Sequence, residues 1–183
     1  AYIKTPRQMR PIVIYYSRKG SNEFLARKIA GRLSCDLELI RPRINAFSLF
    51  LMNLNPGIRS LKRQISNYDR VILVGPIFMG RFIPPLRSFV KKYNAQIKEM
   101  AFVTCCGSNY KKKDEKFGHG LVFDDVKSIL NDRLVLTQAF PVGLVLPESQ
   151  QEDADAFMKT HLNDSNFKGA IADVFEEVME KLS

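Results

Sequence analysis

The amino-acid sequence predicts a doubly wound α/β fold, a five-stranded parallel sheet with helices on both faces, forming one three-layered domain over residues 1–183. Three observations predict it. Short apolar runs of β type alternate with helix-period segments, each unit about the size of a βαβ crossover. One run, Val71 to Val74, is apolar at every position, which suits a central parallel strand covered on both faces. The first strand candidate also passes directly into a polar glycine turn and then a helix. That arrangement presents backbone N–H groups and a positive helix end to an anion.

The elements follow in order. Residues 1–10 read as a short basic lead-in, and Ile12 to Tyr16, rich in β-branched and aromatic residues, as the first strand. From Asn22 to Leu33, Leu25, Ile29 and Leu33 recur every four residues with Ala26 and Ala30 beside them, an amphipathic helix that leaves Arg27, Lys28 and Arg32 to solvent. Cys35 to Ile40 is the second strand, stopped by Pro42. Ile44 to Gln64 carries a dense apolar stretch around Phe47, Phe50 and Met52, a Pro56-Gly57 break, and a basic helix with Ile58, Leu61 and Ile65. It reads as a crossover packed over the sheet, with an interfacial element resting on a membrane as the alternative. After Asn67-Tyr68-Asp69 comes the buried strand, then a loop from Gly75 to Ile83 and a helix opened by Pro84-Pro85, where a missing N–H costs nothing. Met100 to Thr104 is the fourth strand, and a lysine-rich loop from Ser108 to Gly120 leads to a helix bearing Val122, Val126 and Leu130. Leu134 to Phe140 is the fifth strand. A short helix with Phe157, Met158 and Leu162 follows, and a final one carrying Ile171, Phe175 and Val178, capped by Ser165 or Asp164.

Composition narrows the function classes. The 28 Lys+Arg against 19 Asp+Glu give a formal charge of +9, which favours acidic partners: nucleic acid, an anionic membrane, an acidic protein or a phosphorylated ligand. Three cysteines, two of them adjacent, offer no disulfide framework. No apolar stretch is long enough to span a bilayer and the first residues have no signal-peptide layout, so the cytoplasm is the expected compartment. With only two histidines, Cys–His or Ser–His–Asp catalysis has little material, and no side chain is expected to be an obligatory acid or base. Cys105 and Cys106 lack a C-x-x-C spacing and read as buried small hydrophobes rather than as metal ligands. Lys111, Lys112, Lys113 and Lys116 read as a solvated loop, since no nucleic-acid-binding signature accompanies them.

Three strand ends collect on the carboxyl edge, where open α/β sheets bind ligands. The first loop offers the hydroxyls of Ser17 and Ser21, the Asn22 amide, the charges of Arg18 and Lys19, and Gly20, whose positive φ lets consecutive amides converge on a phosphate. Its bland alternative is a solvated basic turn that starts a helix. The second, Gly75-Pro76-Ile77-Phe78-Met79-Gly80, offers a wall for a flat ring, or else Phe78 and Met79 belong to the core. The third, Cys106-Gly107-Ser108-Asn109-Tyr110, offers Tyr110 to the opposite face of that ring, or leaves it flat on the surface.

In order, VIYYSRKGSNEFLARKIA, NYDRVILVGPIFMGRFIPPLRSFVKKY and AFVTCCGSNY resemble the flavodoxin-like family over roughly the first two thirds of the chain. The middle motif also looks like the flavodoxin-type protoporphyrinogen oxidases. The resemblance implies strand order 2-1-3-4-5 and non-covalent FMN, its phosphate on Ser17, Arg18, Lys19, Gly20, Ser21 and Asn22. The flavin ring would then lie between Pro76, Ile77, Phe78, Met79 and Gly80 on one side and Cys106, Gly107 and Tyr110 on the other. Lys19 and Asn22 stand where the family has hydroxyl residues, and Met79 where many members have an aromatic. The function implied is that of a redox flavoprotein. It would be either an electron carrier meeting an acidic protein through Arg81, Arg87, Lys111, Lys112 and Lys113, or an oxidoreductase acting on a quinone- or porphyrin-like molecule. The alternative is a module of the same fold without FMN, whose basic face meets a partner protein or a membrane surface.

Overall fold

Strands β1 (Pro11–Tyr15), β2 (Asp36–Leu39), β3 (Arg70–Val74), β4 (Glu99–Cys106) and β5 (Leu134–Pro141) pair in parallel in the order β2-β1-β3-β4-β5. The structure is a computed structural model and describes residues 7–183, so most of the basic lead-in lies outside the described residues. Six helices accompany the described strands: α1 (Ser21–Leu33), α2 (Phe47–Leu51), α3 (Pro84–Tyr93), α4 (His119–Leu130), α5 (Ala154–Lys159) and α6 (Ala170–Leu182).

Side-chain alternation sorts the core into two halves. Ile12, Ile14, Val71, Leu73, Met100 and Phe102 face α3 and α4 through Leu86, Phe89, Val90, Val122 and Val126. Val13, Tyr15, Ile72, Val74, Ala101 and Val103 face α1 and α6 through Leu25, Ile29, Ile171, Phe175 and Val178. A strand covered on both sides needs apolar residues at consecutive positions, which is why Val71–Val74 shows no polar alternation. Pro84 and Pro85 do open α3, in the first-turn positions where their lack of N–H is harmless.

Four local expectations are corrected. No α-helix forms over 58–65, and only Ile65 enters a short 3-10 turn that runs to Asn67. Pro42 and Ile58 pair instead as an antiparallel bridge, and Gly57 turns the chain at φ +79°. The N–H groups that a helix would have bonded internally go elsewhere: Leu61 donates to the Tyr93 hydroxyl at 2.9 Å, Lys62 and Arg63 to the buried Glu38 carboxylate at 2.5 and 3.1 Å. Helix α5 stops at Lys159, so Leu162 and His161 lie in the segment beyond it, where Leu162 enters the core. Neither Ser165 nor Asp164 caps α6, whose start is Gly169 at φ +66° without a side-chain cap. Ser165 N–H instead closes a turn on the Asn163 side chain. Finally, His119 is no loop residue: it begins α4 and is 2% exposed.

Candidate functional site

The chain leaves β1 at Tyr15 and must turn within five residues to start α1. Gly20 makes that turn, at φ +99° with nothing within 4 Å of where a Cβ would stand. Its N–H donates to Ser17 Oγ at 3.1 Å, closing the loop on itself. Helix α1 then begins with no side-chain cap, so its first N–H groups remain directed at the loop. Asn22 behaves differently from its neighbours. It is 5% exposed, its Nδ2 donates to Cys105 O at 3.2 Å, and its Oδ1 accepts from Cys105 N–H at 2.8 Å. The Asn22 amide therefore ties α1 to the end of β4.

The second loop is a two-residue hairpin turn. Phe78 and Arg81 exchange both backbone hydrogen bonds, and Met79 (φ +48°) and Gly80 (φ +69°) sit at the tip. That geometry turns the Met79 side chain away, half exposed, and keeps Phe78 on the inner side with its ring 5.2 Å from that of Phe47. Gly80 is held by a close approach, since a Cβ there would lie 2.7 Å from Lys116 O. In the third loop the Tyr110 hydroxyl donates to Ala139 O at 2.8 Å, which fixes the ring beside His119.

The three strand ends frame one cleft of about 310 Å³, within the ~300–1,000 Å³ range of ligand pockets. Ser17, Arg18, Lys19, Ser21 and Asn22 of the first loop, Pro76, Ile77 and Phe78 of the second, and Cys106 and Gly107 of the third all line it. Gly20, Met79, Gly80 and Tyr110 do not line it. Further lining comes from residues that sequence reasoning passed over: Phe157, Met158, Thr160 and His161. Gly143 makes room for Phe157, which packs 3.3 Å from a Cβ position there, and the same ring lies at an ordinary contact distance of 3.6 Å from one at Gly107. Leu162 N–H donates to Ser21 Oγ at 3.1 Å and Lys19 Nζ to Met158 O at 3.4 Å, joining this segment to the first loop. The signal in the sequence was Phe157-Met158 itself, an apolar pair on a helix too short to bury both, with Met158 left 59% exposed.

No Asp or Glu lines the cleft, whereas Arg18 and Lys19 do, so its polar end is electropositive. The Arg18 guanidinium lies over the Phe47 ring, 3.4 Å from its centroid. Burial pushes the Cys106 thiol up to about 12 and raises Cys105 further, which disfavours the reactive thiolate at both. His119 Nδ1 lies 3.0 Å from Ser108 Oγ. Burial, and then Lys113, holds its pKa below the ordinary 6.5, against the opposing pull of Asp114 and a Ser108 backbone hydrogen bond. The unfolded chain binds this proton more readily than the native one. Stability should therefore be fully present above the ordinary value and be lost as pH falls through the depressed one. A melting temperature that declines on acidification through this window, less steeply in His119→Gln, is the expected result of thermal scans.

A flavodoxin-domain family model matches residues 12–163. The chain belongs to the flavodoxin domain family. Among solved structures, it is similar to a flavoprotein from Lactobacillus acidophilus in complex with FMN, with TM-score 0.59 and 15% identity over 82% of this chain and 99% of that one. It is also similar to a protein from Bacteroides eggerthii assigned as a flavoprotein, with TM-score 0.57 and 21% identity over 71% and 86% of the two chains. Oxidised flavodoxin 1 from Bacillus cereus gives TM-score 0.50 and 16% identity over 94% and 97%. No curated protein matches the chain. At these identities the structural likeness concerns the fold, and the flavodoxin fold is what places three loops around one cleft.

Proposed function

We propose that this flavodoxin-family chain binds FMN non-covalently in the cleft and acts as a redox flavoprotein. The observation that carries the reading is the convergence of the first and second loops and Cys106-Gly107 on one cleft, electropositive and uncapped at one end and apolar along its walls. The residues fit the group. Uncapped N–H groups at the start of α1, the Ser17 and Ser21 hydroxyls and Lys19 suit a phosphate ester that carries close to two negative charges. Pro76, Ile77, Phe78, Phe157 and Met158 supply the apolar lining that a flat ring would need. Met79 and Tyr110 are no part of that lining, so in this reading stacking falls to Phe78 and Phe157.

When bound, the flavin supplies the electron chemistry, taking and releasing one or two electrons. The chain's own part is to hold the phosphate, exclude water from the ring with Phe78 and Phe157, and keep carboxylates away from it. Electrons would pass to an acidic protein or to a quinone- or porphyrin-like molecule at the open mouth. On the surrounding basic rim, Arg87 is paired with Asp125 and Lys112 approaches Glu152 at 3.8 Å. Arg81, Lys111 and Lys113 make no ion pair among the described residues, and they are the cations left for a partner.

One observation favours the second reading, a binding module without FMN: Arg18 is engaged by Phe47, and Lys19 by Met158 O. Titrating the purified chain into FMN separates the two. Quenching of flavin fluorescence at one-to-one stoichiometry is expected, and unquenched flavin would leave the module reading.

A further inference from the structure

Between Leu39 and Tyr68 the chain has no Asp or Glu but five cations, Arg41, Arg43, Arg59, Lys62 and Arg63. Only Arg63 is ion-paired among the described residues, with Asp36 at 3.4 Å. The bridge between Pro42 and Ile58 organises the other arginines. Ile58 is 3% exposed and points into the core, so the flanking Arg41, Arg43 and Arg59 project from the outer face by strand alternation. Arg43 lies across Gly57, 3.9 Å from a Cβ position there.

The same crossover carries four exposed large aliphatic side chains, Ile44 (54%), Leu51 (51%), Met52 (69%) and Leu54 (50%). They are four of the eleven exposed large hydrophobics of the described chain, gathered within eleven residues, so this is a patch and not the usual scatter. Helix α2 shows why they are left over: its inner side is spent on Phe50, 7% exposed in the core, and on Phe47, which lines the cleft. Asn53, at φ +57°, then turns Leu54 back so that its N–H reaches Leu49 O at 2.8 Å. The result is an apolar tip with a cationic flank, fixed to the rim of the cleft.

From this juxtaposition we infer that the β2–β3 crossover docks on an anionic lipid surface, with Leu51, Met52 and Leu54 entering the acyl boundary and Arg41, Arg43 and Arg59 meeting lipid phosphates. Charge complementarity selects the occupant, because a stretch of thirty residues with five cations and no carboxylate repels cationic partners and attracts anionic ones. An acidic protein would satisfy the arginines but leave the aliphatic tip in water, whereas a bilayer takes both. Docking here would hold the cleft mouth at the membrane surface. The inference is independent of what the cleft binds.

The chain has no tryptophan, so Met52→Trp supplies a single reporter at the centre of the tip. With vesicles of phosphatidylcholine plus phosphatidylserine its emission should shift to the blue and be quenched by brominated acyl chains. With phosphatidylcholine alone it should do neither. In flotation of the full chain, Leu51→Ser/Met52→Ser/Leu54→Ser and Arg41→Ser/Arg43→Ser/Arg59→Ser should each weaken binding by about tenfold or more. Absence of binding to the anionic vesicles at low salt would overturn the inference. So would a reporter that stays solvent-exposed, or loss in the arginine variant alone, which would mark a site for an acidic protein.

Discussion

Replacing Asn22 by leucine should cost about 1–4 kcal/mol of folding free energy, since it leaves the buried Cys105 N–H without a partner, at ~1–3 kcal/mol, and leaves the Cys105 carbonyl only the long 3.4 Å bond from the Thr104 hydroxyl. Strand β3 ends at Val74, and Gly75 N–H donates to Val103 O as the last bond on that side of β4. Cys105, two residues on, turns its N–H and carbonyl to the same side, where no strand remains. The Asn22 amide completes the ladder there by bonding both groups. Leucine matches its size but offers neither donor nor acceptor. Urea denaturation should show the full loss, and a change below about 0.5 kcal/mol, within the range of ordinary surface substitutions, would mean that water replaces the amide freely.

Gly20→Val should reduce FMN affinity by at least about tenfold, some 1.4 kcal/mol, while lowering stability by only ~1–2 kcal/mol. No neighbour obstructs a side chain at Gly20, so the penalty comes from φ +99° alone, which a β-branched residue resists. The loop relieves that strain by rotating, and rotation takes the N–H groups of α1 off their common target. Gly20→Ala should fall between the two. A valine variant that keeps full affinity in a fluorescence titration would place the phosphate elsewhere.

The parts of the fold that were legible share a cause: their signals are local or strictly periodic. Leu25, Ile29 and Leu33 declare one buried helix face, and Val71–Val74 declare a strand covered on both sides. What was hidden depends on distant groups. Residues 58–65 have the spacing of a helix, but a carboxylate on β2 and a hydroxyl on α3 take their N–H groups, and nothing near Leu61 announces Glu38 or Tyr93. The site divides in the same way. Ser17 and Phe78 come to the cleft because strand ends converge by topology. Met79 and Tyr110 do not, because a positive φ and one hydrogen bond to Ala139 O decide where those side chains point. Asn22 lines the cleft, and its second role as a missing ladder rung could not be read locally, since a phosphate loop and such a rung both call for a polar residue there. The segment from Phe157 to His161 was missed because it packs over Gly143, and sequence does not say which glycine lies beneath an aromatic ring.

The cleft is proposed to take a flavin by its phosphate. This is tested most directly by titrating the chain against FMN and riboflavin side by side, following the quenching of flavin fluorescence. The two ligands share the ring and differ by the phosphate alone. Saturable one-to-one quenching with FMN, at an affinity at least about tenfold above that for riboflavin, is the predicted result. Equal affinities, or no quenching by either, would contradict it.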